Sequence, residues 1–305
     1  MNGLAVKEVE QIPKLEGGHI FNTPTFQALK KGNSRYFVLF KDNQAVARIC
    51  FFIGNGTAIS GYQATFGSID SERPLGIDAL SYFLKQTCQI LNYEGFEQII
   101  IKHWPTSHTQ DNRMHEIFIK LGFQVLNSEV NQHRLVTEED FQQKIKTGER
   151  GKISQSKNKG YVFKILTIHE LSNVYNLIQE TLTRRDNSVS MSYEELSRAI
   201  EMLPEGYLLF GLYDGEKLIA ATVSLRISKE ILYNFYHADD FAYRTTSPLV
   251  MLIQEIYKFC QHEKIKILDL GISSEQGIIN QGLFNFKRNL GCESSEKNTY
   301  RWCNE

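Results

Sequence analysis

The chain carries one pattern twice. In the first half an apolar run, Tyr36 to Phe40, meets a turn at Asp42-Asn43. A second extended run follows, and helical sequence opens at Pro74. In the second half the run Tyr207 to Tyr213 meets a turn at Asp214-Gly215, another extended run follows, and helical sequence opens at Pro248. Each half then closes a helix on Leu-Gly, at Leu121-Gly122 and at Leu290-Gly291. The turns are offset by 172, the prolines by 174 and the Leu-Gly pairs by 169, so the register holds through three landmarks. A repeat of this length exceeds a solenoid unit and fits two copies of one α/β module.

At 305 residues the length agrees with about two domains, each able to bury a core. A net charge of -1 excludes a strongly basic nucleic-acid binder but leaves room for a local patch. The five cysteines form no C-x-x-C pair, which excludes a zinc ribbon or thioredoxin motif and points to a reducing compartment. The first ten residues lack a basic region followed by an apolar stretch, and no apolar run approaches a bilayer span. A cytoplasmic protein is expected.

Periodicity predicts strands at 36–40, 45–53 and 58–66, a helix over 75–91, a short strand at 98–102, a helix over 112–121 and a strand over 123–135. The second half is expected to run helix 171–182, helix 193–203, strands 207–213, 218–227 and 231–237, helix 248–262, strand 265–270, a helix through 284–290 and a terminal strand at 299–302. The helix over 248–262 sets Leu249, Leu252, Ile253, Ile256 and Phe259 on one face, with Pro248 in the first turn, where its missing N–H costs nothing. Between the halves, Phe141 to Gly160 holds Lys144, Lys146, Arg150, Lys152, Lys157 and Lys159 against a single acid, Glu149. That run reads either as a solvated linker helix or as a phosphate-facing element.

Hairpin, third strand, long helix, buried strand, short helix and final strand is the order of the GNAT acyltransferase fold. Two such modules with a basic insertion resemble the Fem-type (FemABX-like) aminoacyltransferases and the wider N-acyltransferase superfamily. The resemblance rests most on Asn280-Gln-Gly-Leu-Phe-Asn-Phe-Lys-Arg-Asn-Leu-Gly291 and covers nearly all of residues 20–302. It also draws on Arg150-Gly-Lys-Ile153 with Lys157 and Gly160, on Ala64-Thr-Phe-Gly-Ser68, and on Asp269-Leu-Gly271. It implies an α/β (α+β) fold of two tandem modules, each a mixed, mostly antiparallel sheet flanked by helices. The boundaries expected are 1–140 for the first module, 141–163 for a basic helical linker and 164–305 for the second, catalytic module. The resemblance further implies an acyl or aminoacyl transfer to an amine of a cell-wall or surface-polysaccharide precursor. No tightly bound cofactor is expected; the donor is an aminoacyl-tRNA or an acyl-CoA, and the acceptor a small, lipid-linked or nucleotide-linked molecule. In the phosphate-facing reading, tRNA would lie along residues 144–159. The segment Tyr243-Arg-Thr-Thr-Ser-Pro248 has no glycine for a pyrophosphate loop, which favours the aminoacyl-tRNA or another carrier.

Acyl transfer passes through an oxyanion, and the resemblance assigns its stabilisation to Lys287 beside Phe286. Read without the resemblance, Lys287 is a helix-surface lysine near a C-terminus. A base must also take a proton from the attacking ammonium; Asp269, His237, Asp239 and Asp240 are the candidates at strand ends. Tyr233 and Tyr236 offer hydroxyls for the leaving group or pack the sheet, and Arg184 and Arg185 offer partners for a phosphate. The stretch His103 to His108 with His115 matches no zinc spacing and is expected to be a surface loop, and Cys292 has no neighbouring His to activate it. No metal is expected. Two rivals stay open: an acetyl-CoA-dependent N-acetyltransferase acting on an amino sugar, and a noncatalytic tandem module that binds a ligand.

Overall fold

The computed structural model describes residues 3–30, 32–109 and 113–303. The outermost residues of both expected modules, and the expected helix start at Asn112, lie outside the described residues. The chain divides into two compact units: residues 1–130 with 274–278 and 295–305, and residues 131–273 with 279–294.

The first unit contains β1 (Leu4–Val9), α1 (Pro24–Leu29), β2 (Ser34–Lys41), β3 (Gln44–Gly54), β4 (Thr57–Ser60), β5 (Asp70–Ser71), α2 (Ile77–Tyr93), β6 (Gln98–Lys102) and α3 (Arg113–Lys120). Asp42 and Asn43 both take positive φ, the conformation that a two-residue hairpin needs, and so β2 returns directly as β3. Pro74 precedes α2 rather than opening it; the helix starts after Gly76. The strand expected over 58–66 stops at Ser60, because Gly61 turns the chain at φ +83 and a Cβ there would meet the Gly67 nitrogen at 2.7 Å. Phe37, Leu39, Phe51, Phe83, Ile99 and Phe118 fill the core between sheet and helices.

The second unit uses the end of β7 (Gln124–Leu135), then α4 (Thr147–Asn158), β8 (Val162–Leu166), α5 (Leu171–Thr183), α6 (Tyr193–Met202), β9 (Tyr207–Asp214), β10 (Lys217–Ser228), β11 (Ile231–Asp239), α7 (Pro248–His262) and β12 (Ile267–Ile272). After the short ribbon of β13 (Ser274–Glu275) and β14 (Ile278–Ile279), α8 (Gln281–Asn289) and β15 (Glu293–Cys303) follow. Its strands lie in the order β7, β12, β11, β10, β9, β8; β11 and β12 are parallel and their other neighbours antiparallel.

The units are not the two halves of the sequence. Residues 299–303 of β15 pair with β6 in the first unit, while residues 131–135 of β7 pair with β12 in the second. The expected boundary at 140 therefore falls at 130. The segment read as a linker is also part of a core: Phe141, Ile145, Ile153 and Tyr161 are buried with the side chains of α7. That cover explains why α7 is buried beyond the single apolar stripe predicted for it, with Val250, Met251 and Gln254 enclosed as well. The lysines of the segment stay outside except half-buried Lys152, which pairs with Glu149, and Lys146, Arg150 and Lys157 follow one another at helical spacings of four and seven.

Candidate active site

A cavity of about 670 Å³ opens in the second unit, where the end of β11 meets the first turns of α7 and α8 and the loop after α5. The antiparallel ladder positions its back wall. Val223 lies opposite Tyr236 while Ser224 lies opposite Asn234, so Phe235 is the extra residue of a bulge. Bulges re-aim side chains and leave one residue out of the ladder. Phe235, His237 and Asp239 then follow at the two-residue period of a strand, all half-buried and all on the cavity wall.

Of the residues singled out from sequence, Arg184, Arg185, Tyr236, His237, Asp239 and Phe286 come together around this cavity. Burial raises the Asp239 carboxyl above the usual carboxylate range, against the pull of Arg185, whose Nη2 lies 4.0 Å from Asp239 Oδ1. Burial pushes His237 down to about 3, assisted by the charges of Lys287 and Arg185, so the imidazole is neutral at pH 7. The Tyr236 hydroxyl shares a hydrogen bond of 2.5 Å with Ser190 Oγ, and burial raises its pKa, keeping the phenol protonated. Asp240 turns elsewhere: it accepts from the Ala242 N–H at 2.9 Å and pairs with Lys217 at 2.7 Å, a turn partner rather than a base. Tyr233 is buried and packs over Gly271, within the core.

Lys287 is not the helix-surface lysine that its position near the end of α8 suggests. It is 2% exposed, and its Nζ donates to the Gly271 and Ile272 carbonyls at 2.8 Å each. Those carbonyls stand where the register of β12 on β7 shifts, between Asp269 and Ile272, as Gly271 takes φ +78. Burial lowers the ammonium to about 8, and the charge of Asp269 opposes that fall. Asp269, 1% exposed, accepts from Asn131 Nδ2 at 2.9 Å and from the Gly271 N–H at 2.8 Å. Lys287 and Asp269 thus grip the same turn, behind the wall of the cavity and not on it.

Ser190 and Phe241 were not among those singled out from sequence, and Arg244, Ser247 and Asn280 lay within the segments Tyr243 to Pro248 and Asn280 to Gly291 without a role assigned to any of the three. Phe241 was the most legible of them, as an aromatic in the polar stretch from Asp239 to Arg244. Ser247 caps α7 in the left-handed region, at φ +46, a strained conformation for a residue other than glycine. Asn280 caps α8, its Oδ1 accepting from the Leu283 N–H at 3.1 Å.

The histidine stretch of the first unit is not the surface loop expected. His103 is buried, with Nδ1 2.9 Å from Ser68 Oγ, and burial lowers it to about 3; His115 Nδ1 lies 2.8 Å from the Tyr300 hydroxyl. Among the described residues no three His, Cys, Asp or Glu side chains could hold a metal ion. Cys292 is free, and burial pushes its thiol up to about 12, far from a thiolate nucleophile. No helix of the described residues is long and apolar enough to cross a membrane.

Residues 146–288 match the family model of the acetyltransferase (GNAT) domain. No curated protein matches the sequence. Among solved structures the chain is similar to FemX, with a TM-score of 0.72 at 12% identity over 94% of this chain and 93% of that one. It is also similar to L-PGS from Bacillus licheniformis, at 0.63 and 12% over 95% and 94%. A tandem GNAT protein of the clavulanic acid biosynthesis pathway gives 0.54 and 9% over 89% and 83%.

Proposed function

With this chain an acyltransferase carrying a GNAT domain in a Fem-like tandem GNAT fold, we propose that it passes an aminoacyl group from a charged tRNA to a primary amine of a cell-wall or surface-polysaccharide precursor, by direct attack in the cavity of the second unit. The observation that carries the reading is the convergence there of a carboxylate of raised pKa, a protonated phenol and arginines, from segments far apart in sequence.

The acceptor arrives as an ammonium and must lose a proton before its lone pair can attack. Asp239 is the base: it lines the cavity, and its raised pKa makes it a stronger proton acceptor than an ordinary carboxylate. His237 is too weakly basic for that role, and Asp269 is committed to Asn131 and the Gly271 N–H. The new C–N bond forms as the carbonyl oxygen takes up negative charge. The main chain at the Phe235 bulge meets that charge, with the Lys287 ammonium adding its field from behind the wall. The tetrahedral adduct then expels the ribose oxygen, which takes a proton from the Tyr236 hydroxyl, and the second proton of the adduct nitrogen passes to the Tyr236 oxygen and restores the phenol. No bond to the enzyme is formed.

A charged tRNA suits the first turn of α7 better than coenzyme A does. Pro248 has no N–H there, and the Val250 N–H donates to Ser247 O at 3.0 Å, which leaves few donors for a pyrophosphate. The stripe of Lys146, Arg150 and Lys157 gives the tRNA backbone a cationic path through residues 144–159. A second reading, N-acetylation of an amino sugar from acetyl-CoA, is favoured by the acetyltransferase character of the matched domain.

The test is transfer of radiolabel from charged tRNA and from acetyl-CoA, in parallel, to a lysine-containing muropeptide and to glucosamine. Product from charged tRNA, with Asp239→Asn lowering kcat by about a hundredfold or more at unchanged Tm, is expected. Product from acetyl-CoA alone selects the second reading. No transfer from either donor, or full kcat in the Asp239→Asn variant, overturns the assignment.

A further inference from the structure

Phe241 stands at the cavity with 56% of its surface exposed, and the chain around it is built to hold it there. It opens a 3-10 turn over Phe241–Tyr243 whose first N–H groups are taken up by Asp240: Ala242 N–H donates to its side chain at 2.9 Å and Tyr243 N–H to its main-chain oxygen at 2.9 Å. Lys217 pins the other oxygen of Asp240 at 2.7 Å, and the Tyr243 hydroxyl donates to Asp214 at 3.0 Å. Thr246 closes the turn by donating to Tyr243 O at 2.9 Å. An exposed aromatic ring costs the fold burial energy that a polar residue at the same place would not forfeit. The turn nevertheless fixes it outward.

Two guanidinium groups lie over the ring, where a stacking base would share or take their place. The Arg184 and Arg244 carbons lie 5.1 Å and 5.2 Å from its centroid. Among the described residues, the cavity wall carries three arginines with Arg185 counted, and Asp239 is the one carboxylate on it. A bare anion would need the arginines but not the ring, and an apolar group the ring but not the arginines. A nucleotide needs both: its base stacks on an aromatic face, and its phosphate pairs with guanidinium forks.

We propose that Phe241, with Arg184 and Arg244, is a nucleotide-binding platform on which the base of the acyl carrier stacks while its phosphate meets the two arginines. The proposal rests on the acyl-transfer reading only for what the nucleotide belongs to. An adenosine 3′-phosphate 5′-diphosphate, as at the end of coenzyme A, and the terminal adenosine of a charged tRNA present the same base and a neighbouring phosphate. The platform accepts the base through its π-face and does not read its edge.

The experiment measures binding to the full-length protein, by calorimetry, of three probes: adenosine 3′-phosphate 5′-diphosphate, an RNA hairpin ending in single-stranded CCA, and inorganic pyrophosphate. Phe241→Ala is expected to weaken the nucleotide probe that binds by about tenfold and to leave pyrophosphate unchanged, and Phe241→Trp to restore it. Because the ring is exposed, both variants should melt with the wild type. Binding of the adenosine 3′-phosphate 5′-diphosphate alone supports the platform with a coenzyme-A carrier; binding of the hairpin alone supports it with a tRNA carrier. Binding of neither, or binding indifferent to Phe241→Ala, overturns the proposal. If the platform fails while radiolabel is still transferred, acyl transfer stands without it; if binding holds while no donor is consumed, the reverse is true.

Discussion

Lys287→Met should uncouple two effects that oppose each other in the wild type. The ammonium satisfies the Gly271 and Ile272 carbonyls, and leaving each without a donor costs about 1–3 kcal/mol. Burying the same charge lowers its pKa from 10.5 to about 8, which at pH 7 amounts to about 3 kcal/mol against the folded state. At pH 7 the substitution therefore removes a benefit and a penalty of similar size, and the stabilities of variant and wild type should differ by only about 2 kcal/mol. The sign of the pH dependence follows from the lowered pKa. Between about 8 and 10.5 the unfolded chain holds the proton that the folded chain has released, so wild-type stability from this group rises with pH. The neutral amine still has two N–H groups for the two carbonyls. Relative to Lys287→Met, the wild type should gain about 2.5 kcal/mol between pH 7 and pH 10. Urea unfolding followed by far-UV circular dichroism at the two pH values measures it. Trp104 and Trp302 both belong to the first unit, so their fluorescence reports on that unit. A difference between wild type and variant that stays flat from pH 7 to pH 10 would refute the buried, charge-penalised state of Lys287.

In the first unit, Asp70 and Arg48 form a buried pair at 3.0 Å, with Asn22 Nδ2 on Asp70 Oδ1 at 2.8 Å; Asp70→Ala strands the guanidinium and should cost about 3–5 kcal/mol in urea unfolding read by tryptophan fluorescence. A loss below about 1 kcal/mol would mean that Arg48 finds water. Because Asp239 must be ionised to act as base and burial raises its pKa, kcat for acyl transfer should rise with pH through an acid limb lying above the ordinary carboxylate range. The limb should vanish with the residual activity of Asp239→Asn; a limb unchanged in that variant would transfer the base role to another group.

The local features were legible in the sequence because they depend on short-range chemistry. The repeat fixed the element order of both units, Asp42-Asn43 gave the hairpin turn its left-handed pair, and α7 begins at Pro248 and ends at His262 where the periodicity and the proline place it. The cleft residues Arg184, Arg185, Tyr236, His237 and Asp239 were legible for a similar reason, as each sits in a loop or near a strand end that the element order brings to the cleft, and Phe286 joins them from α8. The edge strand β1 and the short helix α1 were not read. Leu4–Val9 has no period strong enough to declare a strand until β2 pairs with it, and Pro24–Leu29 is too short to show a helical period.

Tertiary structure alone decided which strand completes which sheet. An extended run states which face is apolar but not its partner, so β15 and the end of β7 read equally well as the last strand of either unit. It likewise decided that the basic segment packs as cover for α7, since Phe141, Ile145, Ile153 and Tyr161 are too sparse among lysines to mark a core by pattern. The burial of Lys287 depends on carbonyls that exist as free acceptors only because Gly271 bends the end of β12, sixteen residues earlier in the chain. The sequence determined what each segment prefers to be, because those preferences are set within a few residues; the fold decided what each side chain meets, because those contacts join segments that no local pattern relates.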